Sequence, residues 1–135
     1  MAFYKWNDRF KIGIVSIDKQ HKQLFDMIEI YYQSFKAGKS KEGLAKLLDD
    51  LTDYTKFHFT FEEKYFEKYN YAEAEAHTKE HKGFISELEE LKNRVEKHKM
   101  VLPVEVGNFL GEWLIRHING SDKKYLTLFK DKNIV

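Results

Sequence analysis

The stretch His77-Thr78-Lys79-Glu80-His81-Lys82-Gly83-Phe84-Ile85-Ser86-Glu87-Leu88-Glu89-Glu90-Leu91-Lys92-Asn93-Arg94-Val95 decides the fold. His77, His81, Phe84, Leu88, Leu91 and Val95 recur three or four positions apart, which is the period of one helix face, and charged residues fill the other. The buried stripe of this helix therefore opens with two imidazoles one turn apart, aimed off the same side. A core-facing histidine is ordinarily a structural residue satisfied by a hydrogen bond. Two in register, at the head of a stripe, ask for a shared partner.

The same reading extends in both directions. Ile17, Leu24, Phe25, Ile28, Tyr31, Tyr32 and Phe35 form a helical stripe with His21 inside it. The helix starts near Ile17 or Asp18, with Ser16 or Asp18 as N-cap, and Gly38 ends it as a left-handed C-cap. Ser40 caps a second helix with the stripe Leu44, Leu47, Leu48, Leu51, Tyr54, His58, Phe61, Glu62 and Tyr65. The third begins around Ala72, after the turn Tyr69-Asn70-Tyr71. Pro103 fits the first turn of a fourth, where its missing N–H is no loss, and Val106, Phe109, Leu110, Trp113, Leu114 and His117 line that helix's inner face. Residues 1 to about 16 lack helical periodicity and form an arm carrying Phe3, Tyr4, Trp6, Phe10 and Gly13, with Trp6 expected to anchor it over the helices.

Short connections favour an antiparallel, up-down-up-down four-helix bundle, an all-α fold. That topology, which rests on the short connections, carries His21, His58, His77, His81 and His117 to one end of the bundle, an agreement not built into it. Unpaired imidazoles there would be costly. His98, in Glu96-Lys97-His98-Lys99, is the control, a histidine in a polar stretch with a surface position. One spacing resists a regular helix. His117 and Asp122 are five apart and diverge by roughly 140° at ~3.6 residues per turn. Asn119-Gly120-Ser121 must hold a kink, a π-type widening or a break if Asp122 is to rejoin the histidines.

Composition narrows the chemistry. In 135 residues there is no cysteine, which removes disulfides, thiolate metal sites and cysteine nucleophiles. Twenty-three basic residues against 22 acidic leave a formal charge of +1, too small a field for a dedicated nucleic-acid or membrane-surface protein. The first residues lack the apolar run of a signal peptide and no segment approaches the ~20 apolar residues of a membrane span, so a cytoplasmic protein without membrane insertion is expected. The length suits one domain, with the arm at about 1–16 and the bundle at about 17–130.

Imidazole and carboxylate ligands without sulfur suit iron, zinc, copper or manganese. Five histidines with Glu62 and Asp122 are too many for one tetrahedral ion and right for two six-coordinate ions sharing carboxylate bridges. Glu63 points ~100° away from the His58 face. The Glu-x-x-His signature of carboxylate-rich di-iron proteins is absent at all five histidines. A histidine-rich set stabilises high-valent iron less well, which favours reversible O2 binding over attack on C–H bonds.

The motifs Trp6 with Val15-Ser16-Ile17-Asp18-Lys19-Gln20-His21, His58-Phe59-x-x-Glu62-Glu63, His77-x-x-x-His81-x-x-Phe84, and Trp113-x-x-x-His117-Ile118-x-x-x-Asp122-x-x-Tyr125 together resemble the hemerythrin family, in particular its single-domain bacterial form. The resemblance implies a non-haem di-iron centre (Fe2+/Fe3+) that binds O2 reversibly. His77, His81 and His117 would hold one iron, and His21 and His58 the other, which keeps an open position. Glu62, Asp122 and an oxo or hydroxo group would bridge, with O2 held as hydroperoxide on the open iron. Leu24, Phe59, Trp113, Leu114 and Ile118 resemble the apolar lining of the family's O2 pocket, although packing alone explains their character. Gln20 and Tyr125 are candidates to support the ligands. The expected role is storage, transport or delivery of O2 by a monomer, with an O2-consuming protein as recipient and no catalytic residues. An O2 or redox sensing module, a di-iron enzyme acting on peroxide or nitric oxide, and plain iron or zinc buffering are the competing readings.

Overall fold

The computed structural model describes residue 6 and residues 8–38, 41–97 and 103–135. The expectations for Phe3, Tyr4, Ser40 and His98 lie outside these residues, as do the side chains of Phe35 and Val106. Four long helices form the body: α1 (Val15–Lys36), α2 (Lys41–Lys68), α3 (Ala74–Glu96) and α4 (Pro103–His117). A π-helical segment, Ile118–Asp122, continues α4, and a short α5 (Leu126–Asp131) follows. No strand occurs among the described residues. The bundle is antiparallel: α1 packs on α2 and α4, and α2 on α3. Aromatic contacts close the ring between α3 and α4, with Phe84 stacked on Trp113 at 4.2 Å between centroids.

Each helix buries the face its periodicity defines. In α3 all six expected residues are buried. In α1, Ile17, His21, Leu24, Phe25, Ile28 and Tyr31 are buried, and Tyr32 is half-buried. The α2 face is turned slightly from the expected one. Leu47, Tyr54, Phe61 and Tyr65 are only partly buried, whereas Thr55 and Phe66 are buried. The continuous line is Leu48, Leu51, Thr55, His58, Glu62 and Phe66, and the large side chains beside it flank the core. Thr55 can lie inside because its hydroxyl donates to the Leu51 carbonyl at 2.6 Å within its own helix.

Helix boundaries differ from the expected ones by two or three residues. α1 begins at Val15, ahead of both proposed caps, and Asp18 has another task. Its carboxylate accepts from the Ile12 and Gly13 N–H groups at 2.8 and 3.2 Å, pinning the arm to the helix start. Gly13 stands at φ +89, a conformation that requires glycine. Trp6 packs on Phe10 and Phe25, so the aromatic arm is folded over α1. α3 starts at Ala74 and not Ala72, because Asn70 turns the chain through a left-handed φ of 52. α5, which the sequence reading did not separate, lays Phe129 against Tyr65 and Phe66.

Candidate metal centre

Four helices and the π segment bring seven side chains to one end of the bundle. His21 is in the second turn of α1, His58 and Glu62 are one turn apart late in α2, and His77 and His81 open α3. His117 ends α4 and Asp122 ends the π segment. The expected irregularity is therefore a π-type widening. Its i→i+5 repeat brings residues five apart onto one face, and His117 Nε2 lies 3.1 Å from Asp122 Oδ1. All seven side chains are at most 3% exposed.

Their donor atoms form two overlapping groups. Glu62, His77, His81, His117 and Asp122 make one; His21, His58, Glu62 and Asp122 make the other. In the first, His77 Nε2 is 3.0 Å from Asp122 Oδ1, His81 Nε2 is 3.2 Å from Glu62 Oε1, and the His81 and His117 Nε2 atoms are 3.1 Å apart. In the second, His21 Nε2 is 3.0 Å from Asp122 Oδ2 and His58 Nε2 is 3.7 Å from Glu62 Oε2. Donors bound at about 2.1 Å to one ion, at right angles, stand about 3 Å apart. The spacing matches donors that surround an ion.

The directions agree with the distances. His21 Nδ1 and Nε2, His58 Nε2, His77 Nε2, Glu62 Oε1 and both Asp122 oxygens are buried without a hydrogen-bond partner, despite lying close to one another. Except for His21 Nδ1, on the far side of its ring from Asp122, they point at common places between them. At roughly 1–3 kcal/mol per orphaned group, seven such atoms would consume the roughly 5–15 kcal/mol by which a domain is stable. Cations at the two foci satisfy six of them, all but His21 Nδ1, so the residues fit a pair of metal ions.

The far sides of three rings are engaged. His58 Nδ1 donates to Gln20 Oε1 at 2.6 Å, His81 Nδ1 to Glu63 Oε2 at 2.6 Å, and His117 Nδ1 to Glu80 Oε1 at 2.9 Å. Placing the proton on Nδ1 leaves the Nε2 lone pair facing the centre, the arrangement that raises ligand basicity. Glu80 is itself fixed by the Ser121 hydroxyl, which donates to both its oxygens at 2.8 and 2.6 Å. Tyr125 donates to Glu62 Oε2 at 2.5 Å.

Electrostatics in the metal-free protein follow from two buried carboxylates among imidazoles. Burial and Asp122 both work to raise Glu62, but His58, His77 and His81 prevail and hold it well below the usual carboxylate range. Asp122 is likewise held low, against burial, chiefly by His117. Burial lowers His58 to about 3. Burial also opposes a charge on His117, yet Asp122 and then Glu80 outweigh it and raise His117 to about 10. Burial, with the charges of Asp122 and Glu62, pushes the Tyr125 phenol well above 10, so it stays a donor. Protons on imidazole thus balance the carboxylates where cations would otherwise do so.

Aromatic rings wall the cluster. Phe59 lies flat on His81, 3.6 Å between centroids at 4°, and Trp113 on His117, 4.5 Å at 14°. Leu24, Leu114 and Ile118 are buried in the core, and Trp113 is half-buried. The sequence reading missed Glu80 and gave Glu63 no role. The ~100° step from Glu62 to Glu63 is what turns Glu63 toward α3 and His81. A carboxylate immediately before His81 was the visible hint of Glu80, but its partner is on another helix.

Comparison with known proteins agrees with this geometry. The family model of the hemerythrin HHE cation-binding domain matches residues 12–129. A bacteriohemerythrin of Pseudomonas paraeruginosa is 35% identical over 93% of this chain and 81% of its own. A myohemerythrin of Theromyzon tessulatum is 30% identical over 90% of both chains. The crystal structure of a wild-type hemerythrin superposes with a TM-score of 0.85 at 29% identity, covering 93% of this chain and 97% of that one. The chain belongs to the hemerythrin family, and its function is the binding of O2 at a non-haem di-iron centre for which the buried His/Glu/Asp cluster supplies the ligands' chemistry.

Proposed function

We propose that His77, His81 and His117 hold one iron, that His21 and His58 hold the other, and that Glu62 and Asp122 bridge them. The observation that carries this reading is the inequality of the two donor groups, which share both carboxylates but differ by one imidazole. With one bridging solvent oxygen, the first set would offer its iron six donors and the second set five. The chemistry that two ferrous ions held by these residues would supply is two electrons and one open position for O2.

The protein's own residues make that binding reversible. Leu24, Phe59, Trp113, Leu114 and Ile118 form the apolar lining that keeps out water and anions able to displace reduced oxygen. The carboxylates on His81 and His117 fix those rings, and Gln20 fixes His58. Tyr125 holds Glu62 in its bridging orientation. The role is storage or delivery of O2 to a consuming protein, by a cytoplasmic monomer built as one domain, without catalytic turnover. No helix among the described residues is long and apolar enough to cross a membrane. Anaerobic loading with ferrous iron, then exposure to O2, should give an absorption change that reverses under vacuum. Irreversible bleaching with loss of iron overturns the reading.

A further inference from the structure

Seven ligand side chains at most 3% exposed leave no direct route for a cation from solvent. One small cavity touches both the cluster and the surface. It measures about 40 Å³ and is lined by Tyr71, Glu73, Ala76, His77, Glu80, Ser121 and Lys124. That volume accommodates a water or two. His77 lines it, only 3% exposed, and its Nε2 on the cluster side lies 3.0 Å from Asp122 Oδ1. The Tyr71 hydroxyl is also buried without a partner, which calls for water in the cavity. At the outer end Glu73, Ala76 and Lys124 are exposed. Glu73 makes no capping bond to α3 and instead pairs with Lys124 at 3.6 Å. Glu80 spans the two ends, 44% exposed yet bonded to His117.

We propose that this cavity is the port through which divalent cations enter the cluster, with Glu80 as the carboxylate that passes them inward and the Glu73–Lys124 pair as its outer gate. The larger groove near the cluster, beside His81, is a poorer route for a cation. Lys56 and Lys82 line it, its carboxylates Glu89 and Glu63 are held by Lys56 at 3.9 Å and His81 at 2.6 Å, and Phe59 covers the imidazole face. Polar oxygens that bind weakly and in sequence suit hydrated divalent ions, which shed water stepwise. The inference rests on the two-metal reading above.

Metal-free full-length protein mixed anaerobically with ferrous sulfate tests it, by following uptake rate and final metal count separately. Ala76→Trp should narrow the mouth and slow uptake roughly tenfold or more, while two ions per chain still bind at the end. Lys124→Glu should free Glu73, add negative charge and speed uptake about threefold, with the gain erased by salt. Ser86→Trp, in the groove beside His81, should leave the rate unchanged. Wild-type rates in both Ala76→Trp and Lys124→Glu, or slowing by Ser86→Trp equal to that of Ala76→Trp, overturn the port. A final count other than two in the wild type overturns the underlying metal reading, whatever the rates.

Discussion

His81 and His117 face each other with their Nε2 atoms 3.1 Å apart, while Glu63 and Glu80 bind the Nδ1 protons behind them. Two neutral imidazoles in that arrangement present lone pairs to one another. Only a proton or a cation between them makes it stable. In the metal-free protein the proton belongs to His117, which Asp122 and Glu80 keep charged against its burial. Metal binding must displace that proton, so loading is coupled to proton release.

The rear carboxylates should therefore control affinity without controlling the fold. Glu63→Ala and Glu80→Ala should each weaken metal binding by roughly 10–100-fold. A chelator competition titration measures this, and circular dichroism checks that helix content is kept. Unchanged affinity in both variants would assign these residues to the surface alone.

His117 and Trp113 stack at 4.5 Å but have separate roles. His117→Ala should abolish stable loading of at least one iron. Trp113→Ala should keep both metals and hasten oxidation of the oxygenated form, seen as faster loss of its absorption band. Equal metal loss in the two variants contradicts the division.

Tyr125→Phe removes a hydrogen bond to a buried carboxylate, made at 2.5 Å. Bonds to charged groups contribute about 1.5–3 kcal/mol, so the metal-free variant should unfold at lower urea by that order. Metal count should remain two. Wild-type stability would mean that water replaces the phenol.

The metal-free protein should lose stability on acidification. Burial disfavours the charge on His58 and lowers it to about 3 when folded, against the ordinary 6.5 of an imidazole in the unfolded chain. Between those values the unfolded chain takes up a proton that the folded one refuses, so stability falls as pH drops from about 6.5 toward 3. Glu62 and Asp122, held low, act in the same direction below the ordinary carboxylate range. His117 acts oppositely at high pH: its contribution is complete below 6.5 and is lost as pH rises through about 10. Urea titrations at pH 5, 7 and 9 should show stability greatest at pH 7, with the His58 loss at pH 5, partly offset by His117, on the order of 1 kcal/mol and the His117 loss at pH 9 on the order of 2 kcal/mol. Greater stability at pH 5 than at pH 7 is the opposing result.

Helix faces were legible in the sequence where side chains repeat with the helical period. The buried face of α3 read correctly because its stripe is unbroken, though its start did not, and the π segment was legible as a failure, since His117 and Asp122 could not meet on a regular helix. The rotation of α2 was hidden by Tyr54, Phe61 and Tyr65, large apolar residues that lie beside the core and mimic its face. Glu80 and Glu63 escaped for another reason. Their partners are on α4 and α3, and the reach of a carboxylate between helices depends on how the helices are set against each other. Local pattern also misplaced Asp18, whose carboxylate serves the loop before α1 and caps no N–H of the helix itself.

The most direct measurement is metal content per chain in protein reconstituted with ferrous iron, compared between the wild type and Asp122→Ala. Asp122 is completely buried and belongs to both donor groups. The expected result is two irons per chain in the wild type, with Asp122→Ala disrupting both positions. A single redox-silent ion in the wild type, or two irons retained without Asp122, would contradict a pair of metals bridged by shared carboxylates.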